Sequence, residues 1–233
     1  MLITVEKTPT GIAELDRLLH GGLPKGSATL IAGGPGTGKT IIAAQFLYNG
    51  AATYNDKGLL VSFNENAQTF KRFMLSLGWD FDKLESEGKI KILDFIPTRK
   101  VSFDVLIDMI LEESRSFGAK RMVVDSITAL TVAFIEKAEV RSTISIIQKL
   151  LRRLDCTSLL IAETPWGEER LGSGIEEFVA DGIIRLETLP VKGELRRRLT
   201  ILKMRGTSHD MKFYQYTINE QDGIVITPYP EVV

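Results

Sequence analysis

Eight residues, Gly33-Gly34-Pro35-Gly36-Thr37-Gly38-Lys39-Thr40, constrain this chain more than any others. They match the spacing G-x-x-x-x-G-K-[ST] and stand between an apolar run, Ala28 to Ala32, and a stretch from Ile41 that reads as helix. Glycines at this density let successive backbone N–H groups turn inward around an anion, in dihedrals that a Cβ resists. Lys39 would then neutralise the β- and γ-phosphates of ATP, Thr40 would place its hydroxyl on Mg²⁺, and the helix would set the positive end of its dipole beneath the phosphates. The alternative is a glycine-rich turn with no ligand, which would have to match both the motif and its flanking elements by chance.

The rest of the chain reads as a setting for such a loop. Short apolar runs, Ala28 to Ala32, Gly58 to Phe63, Ile90 to Asp94, Arg121 to Asp125, Ser158 to Ala162 and Gly182 to Leu186, alternate with stretches of helical period. That pattern predicts an α/β fold, a mostly parallel twisted sheet flanked by helices. The clearest helix is predicted over 139–154, where Val140, Ile144, Ile147, Leu150, Leu151 and Leu154 form one stripe. After Leu186 two strands are predicted around a Val191-Lys192-Gly193-Glu194 turn, followed by a further strand over 212–218, so the C-terminal third is expected to form an antiparallel hairpin structure. With 233 residues and no linker, repeat or low-complexity tract, residues 1–233 are expected to form one domain.

Composition excludes several classes. The net charge of -1 provides no global field toward DNA or an anionic membrane. A single cysteine, Cys156, allows no internal disulfide framework. The start MLITVEKTPTG lacks a basic, apolar leader, and no apolar run approaches the roughly 18 residues of a membrane span, so a cytoplasmic protein is expected. Two histidines, His20 and His209, are too few for a His-rich metal site. His20 precedes Gly21-Gly22 and reads as a loop residue.

A phosphate loop needs an acidic partner at the end of a buried strand, and Arg121-Met122-Val123-Val124-Asp125 supplies one. Asp125 is expected to hold Mg²⁺ through water, although such an Asp also caps turns. Glu163-Thr164, ending another strand, fits either a γ-phosphate sensor or a plain strand exit. Arg196-Arg197-Arg198 must alternate faces, so at most two of them make one patch, and a solvated hairpin or an intersubunit ion pair is favoured over a DNA site.

The stretches TGIAELDRLLHGGLPKGSATLIAGGPGTGKT, LGWDFDKLESEGKIKILD and LKMRGTSHD together resemble the KaiC domain of the RecA-like P-loop ATPases, over nearly the whole chain from Thr10. The resemblance implies a RecA-like fold and a homo-oligomeric ring, usually a hexamer, with nucleotide between protomers. It implies that Lys203, Arg205, Thr207 and His209 of one protomer reach the ATP of the next. Thr207 and His209 are expected to continue the face shared by Lys203 and Arg205 if the chain stays extended past Gly206. It places the catalytic carboxylate after the second strand, where members of the family show two adjacent Glu residues. Here the pair is Asn64-Glu65: Glu65 is kept, and Asn64 can orient water but cannot accept its proton. Restoring Glu at 64 is accordingly expected to speed hydrolysis. Glu65 also fits a surface residue ending a strand. Clock-type members autophosphorylate on adjacent Ser and Thr, but 174–181 carries no hydroxyl and Ser173 falls too early, so no autokinase is expected. One copy of the domain, rather than a tandem pair, counts against a clock role.

Three functions compete. The first is a slow Mg²⁺-dependent ATPase ring whose nucleotide state regulates a protein partner. The second is a RecA/RadA-type paralogue binding single-stranded DNA, for which the loop from 126 to 137 offers Phe134 and Lys137 and little else. The third is a module that holds ATP with little turnover.

Overall fold

The structure is a computed structural model and describes residues 5–95, 103–129, 156–165 and 180–229. The predicted helix over 139–154, Phe134, Lys137, Ser173 and 174–179 lie outside the described residues. In chain order the elements are β1 (Lys7–Thr8), α1 (Ala13–Leu18), β2 (Leu23–Pro24), β3 (Ala28–Gly33), α2 (Lys39–Thr53), β4 (Gly58–Ser62), α3 (Ala67–Leu75), α4 (Phe81–Ser86), β5 (Ile90–Asp94), α5 (Phe103–Phe117), β6 (Arg121–Asp125), β7 (Thr157–Glu163), β8 (Gly182–Val191), β9 (Glu194–Met204), β10 (Phe213–Asn219) and β11 (Gly223–Pro228).

Nine strands form one sheet in the order β11-β10-β9-β8-β3-β7-β6-β4-β5, and β1 pairs with β2 beside it. From β8 to β5 neighbouring strands are parallel, and from β8 to β11 they are antiparallel. The fold is thus RecA-like in kind, a parallel sheet flanked by helices with an antiparallel extension. Each predicted strand is present within a residue or two, except that β8 runs on to Val191. The C-terminal region has one strand more than predicted, because β11 folds back on β10 through the Asn219–Gly223 turn.

The central strands are buried on both faces, which is why they read as unbroken apolar runs. Along β3, Ile31 joins the cluster that takes in α1, α2, α3 and α4, whereas Leu30 and Ala32 join the opposite cluster, which takes in α5. α2 is buried at Ile42, Ala43, Ala44, Phe46, Leu47, Gly50 and Ala51, so it is apolar almost all round.

The end of the sheet away from the phosphate loop is closed by a buried charge. Arg121 opens β6 with no exposed surface, donates from Nε to Asp56 Oδ2 at 2.9 Å, and donates from Nη1 to the carbonyls of Pro9 at 2.7 Å and Phe46 at 3.1 Å. Its guanidinium lies 4.7 Å from the centre of the Phe46 ring and 5.1 Å from that of Tyr54. Burial pulls this group below its ordinary pKa, and the Asp56 hydrogen bond opposes that.

Gly50, in the last turn of α2, makes room for this arginine. A Cβ there would stand 2.4 Å from both Arg121 Cδ and Nε, and Arg121 is too well held to move aside. Helix propensity alone makes Gly50→Ala stabilising by about 1 kcal/mol. Overpacking outweighs that term, and the expected net loss is about 2 kcal/mol in chemical unfolding. A variant more stable than the native protein would show that Arg121 can swing away.

Candidate functional site

The site is built where parallel strands end. Gly33 stands beside Glu163 in the β3–β7 ladder, and Ser62 stands beside Asp125 in the β4–β6 ladder. β6 pairs with β7 only as far as Val124 beside Leu160, so β7 continues past the end of β6. This leaves a notch above Asp125, with Glu163 on one wall and the exit of β4, Asn64 and Glu65, on the other. Asn64 Nδ2 spans the notch and donates to Glu163 Oε1 at 3.2 Å. The cavity has a volume of about 280 Å³, and Lys39, Thr40, Ser62, Asp125 and Phe70 complete its wall with these residues.

The phosphate loop hangs over the end of β3. Gly36 and Gly38 adopt φ of 75° and 87°, the left-handed region that favours glycine. Thr37 Oγ1 donates to the Gly34 carbonyl at 2.8 Å and Lys39 Nζ to the same carbonyl at 2.9 Å, so the lysine folds over its own loop. Thr40 Oγ1 donates to Asp125 Oδ2 at 2.8 Å. Two residues 85 apart in sequence, each expected to serve Mg²⁺, are thereby side by side.

The back of the loop is held by residues that sequence reasoning missed. Tyr216 of β10, buried, donates its hydroxyl to the Thr37 carbonyl at 2.5 Å. Arg197 of β9 donates from Nε to the Gly36 carbonyl at 3.3 Å, and a Cβ on Gly38 would meet Ile218 Cδ1 at 2.7 Å. The alternation Tyr214, Tyr216, Ile218 was legible as one face of a strand, but nothing in sequence says that this face meets the loop. Of the other arginines, Arg198 pairs with Glu187 at 2.8 Å and lies over the Phe213 ring, and Arg196 approaches Glu194 at 3.8 Å. His20 sits in the turn after α1 with φ of 54°.

The row Lys203, Arg205, Thr207, His209 lies elsewhere. β9 runs antiparallel to β8 and ends at Met204 opposite Gly182, which itself pairs with Thr29 near the start of β3. The row is therefore at the opposite end of the sheet from its own phosphate loop, roughly 17 Å away along the six residues of β3. The chain does not stay extended: β9 stops at Met204, and a turn follows with Gly206 at φ 70° and Thr207 N–H bonded to the Met204 carbonyl. Lys203 Nζ donates to the Ala180 carbonyl at 2.7 Å, Arg205 Nη1 to Asp181 Oδ1 at 3.3 Å, and Lys7 Nζ to Thr207 Oγ1. His209 Nδ1 lies 3.3 Å from the Thr207 carbonyl.

Comparison with known proteins agrees with this geometry. The family model described as "ATPase: KaiC" matches residues 8–231. The chain belongs to the KaiC family of ATPases. It is 36% identical to a UPF0273 protein of Methanocaldococcus jannaschii over 96% of this chain and 97% of that one. It is 39% identical to the circadian clock oscillator protein KaiC of Thermosynechococcus vestitus, covering 96% of this chain but 44% of that protein. The crystal structure of a KaiC-like protein from Pyrococcus horikoshii superposes with a TM-score of 0.88 at 39% identity, over 96% of this chain and all of that one. The KaiC family membership makes this an ATP-binding P-loop protein.

Electrostatics sharpen what the KaiC-family cleft can hold. Burial pulls Lys39 below its ordinary pKa, against the opposing charges of Glu163 and Asp125. Asp125 is pushed up, first by burial and then by Glu163, while the Thr40 hydroxyl, Lys39 and Asn64 draw it down. Burial and Asp125 likewise push Glu65 up, against Arg72. A hydroxyl and a carboxylate in contact are the oxygen donors Mg²⁺ prefers, and among the described residues no group of three or more His, Cys, Asp or Glu could enclose a metal unaided. That fits an ion that takes one or two protein oxygens and completes its shell with water and phosphate.

Removing the Tyr216 hydroxyl tests the brace behind the loop. Tyr216→Phe leaves the Thr37 carbonyl without its buried partner, and a loss of about 1 kcal/mol, some fivefold in ATP affinity, is expected with the fold intact. Calorimetric titration with ATP checks this; unchanged affinity would mean that the hydroxyl supports only the sheet.

Proposed function

We propose that the chain is a cytoplasmic, single-domain, slow Mg²⁺-dependent ATPase that assembles into a ring, with nucleotide between protomers, and whose nucleotide state controls a protein partner. The observation that carries this reading is the contact of Thr40 with Asp125 beneath a loop whose lysine is already turned inward. Lys39 and the loop N–H groups neutralise the β- and γ-phosphates, Thr40 and Asp125 hold Mg²⁺, and Glu65 orients the attacking water. Bound there, Mg²⁺ would offset charge on the phosphate oxygens. Asn64, an amide, cannot itself take the water proton.

The position of Arg205 supports a ring. It cannot reach its own phosphates from the far end of β3, its side chain is 60% exposed, and Asp181 holds it at the surface. There it can serve a neighbour, where an arginine stabilises charge spread in the transition state. Among the described residues no helix is long and apolar enough to cross a membrane.

Purified protein is expected to hydrolyse ATP in a ring-sized species, with no stimulation by single-stranded DNA, and Lys39→Ala is expected to lose ATP binding while staying folded. Lys39→Ala and Arg205→Ala should each be inactive alone and recover turnover when co-assembled, because hybrid interfaces pair an intact loop with an intact arginine. No recovery from variants shown by mass to co-assemble argues against action between protomers. DNA-stimulated turnover would favour the recombination paralogue.

A further inference from the structure

Asn64 does more than replace a carboxylate. Its amide donates to Glu163 Oε1 across the notch, in the cavity whose wall it shares with Asp125. An amide can stand between two acids in this way because it brings donors and no charge. A glutamate at 64 would set two carboxylates about 3 Å apart, and like charges that close share one proton rather than both ionising. The structure therefore alters the expectation that Glu at 64 alone speeds hydrolysis.

Glu163 has what Asn64 lacks. It lies beside Gly33 in the ladder, at the foot of the phosphate loop, and its backbone N–H is fixed by Thr128 Oγ1 at 3.0 Å. Its carboxylate lines the same cavity as Lys39, Thr40 and Glu65, yet the residue is exposed and open to water. Residue 64 and residue 163 hold one amide and one carboxylate between them, hydrogen-bonded to each other, over the acid proposed for the metal.

We infer that Glu163, aimed by the Asn64 amide, is the carboxylate that takes the proton of the attacking water, a reading that rests on the ATPase function proposed above. In this step the water oxygen bonds to the γ-phosphorus while the bond from γ-phosphorus to the β,γ-bridging oxygen breaks. The electron pair of that bond leaves on ADP, the water proton goes to Glu163, and from there it passes to the departing phosphate. Glu65 orients the water from the opposite wall.

The test measures ATP affinity by titration and phosphate release in a single turnover, on the full chain with MgATP. It compares the native protein with E163Q, N64E and the double variant N64E/E163Q, which exchanges the amide and the carboxylate but keeps a hydrogen bond between them. E163Q is expected to bind ATP within about twofold of the native protein and to turn over ~100-fold more slowly, the loss typical of a general base. N64E is expected to be no faster than the native protein. The double variant is expected to recover at least about tenfold over E163Q, as the base returns on the other wall.

Near-native turnover by E163Q, a double variant no faster than E163Q, or an E163Q loss that appears only in ATP affinity would each overturn the assignment. So would a native protein that binds ATP and releases no phosphate. A native protein that fails to bind ATP at all would sink the ATPase reading itself, a distinguishable failure.

Discussion

The cleft exists because two strands of one ladder end at different heights. β7 continues past the last pair it makes with β6, reaching Glu163 beside Gly33, whereas β6 stops at Asp125 beside Ser62. Parallel pairing makes this difference rigid: each strand is buried on both faces, and a shift of one residue would turn its apolar set outward into the wrong cluster. Ile31 and Val123 belong to one core and Ala32 and Val124 to the other, so the heights of Gly33 and Asp125 are set by packing far from any ligand. A floor made by Asp125 and walls made by Glu163 and Asn64 follow from that register.

The antiparallel extension has a second function besides covering the edge of the parallel block. β9 and β10 lay Arg197, Tyr216 and Ile218 against the phosphate loop from behind. At the other end of the same strand pair, Arg205 meets Asp181, whose second carboxylate oxygen accepts the Ala28 N–H at 3.2 Å. The strand that carries the phosphate loop at its C-terminal end is thus tied at its N-terminal end to the arginine proposed to serve a neighbour. Both ends of β3 are engaged by one hairpin.

What was legible in the sequence was what local pattern controls. Strands buried on both faces announce themselves as apolar runs, and the loop announces itself by glycine spacing, so β3 to β8 and residues 33–40 were readable. Contacts between distant segments were not. The Asn64–Glu163 bond joins residues 99 apart, and the Tyr216–Thr37 bond joins residues 179 apart. Nothing local marks Gly50 as fixed, and only the position of Arg121 shows why nothing larger fits. The face-sharing of Lys203 through His209 rested on an extended chain, which a two-residue turn at Arg205 and Gly206 ends. β11 escaped because the polar turn after Asn219 masks the apolar stretch from Gly223.

The charge balance of the cleft explains why its own residues do not suffice for a nucleotide. Among the residues lining it, one lysine faces three carboxylates, Asp125, Glu65 and Glu163. Burial already strains this arrangement, pulling Lys39 down and pushing Asp125 and Glu65 up. A triphosphate entering alone would add several negative charges to a site with an anionic surplus, at distances where screening by water is poor. The loop N–H groups and the α2 dipole supply partial positive charge, but only about half an elementary charge in the case of a helix terminus. Whole positive charges must therefore come from outside the cleft. A divalent ion against Thr40 and Asp125 would supply two, and in the ring proposed above a neighbour's guanidinium would supply one more. The three carboxylates thus favour a bound divalent ion beside the nucleotide and, in the proposed ring, a cation from the neighbour.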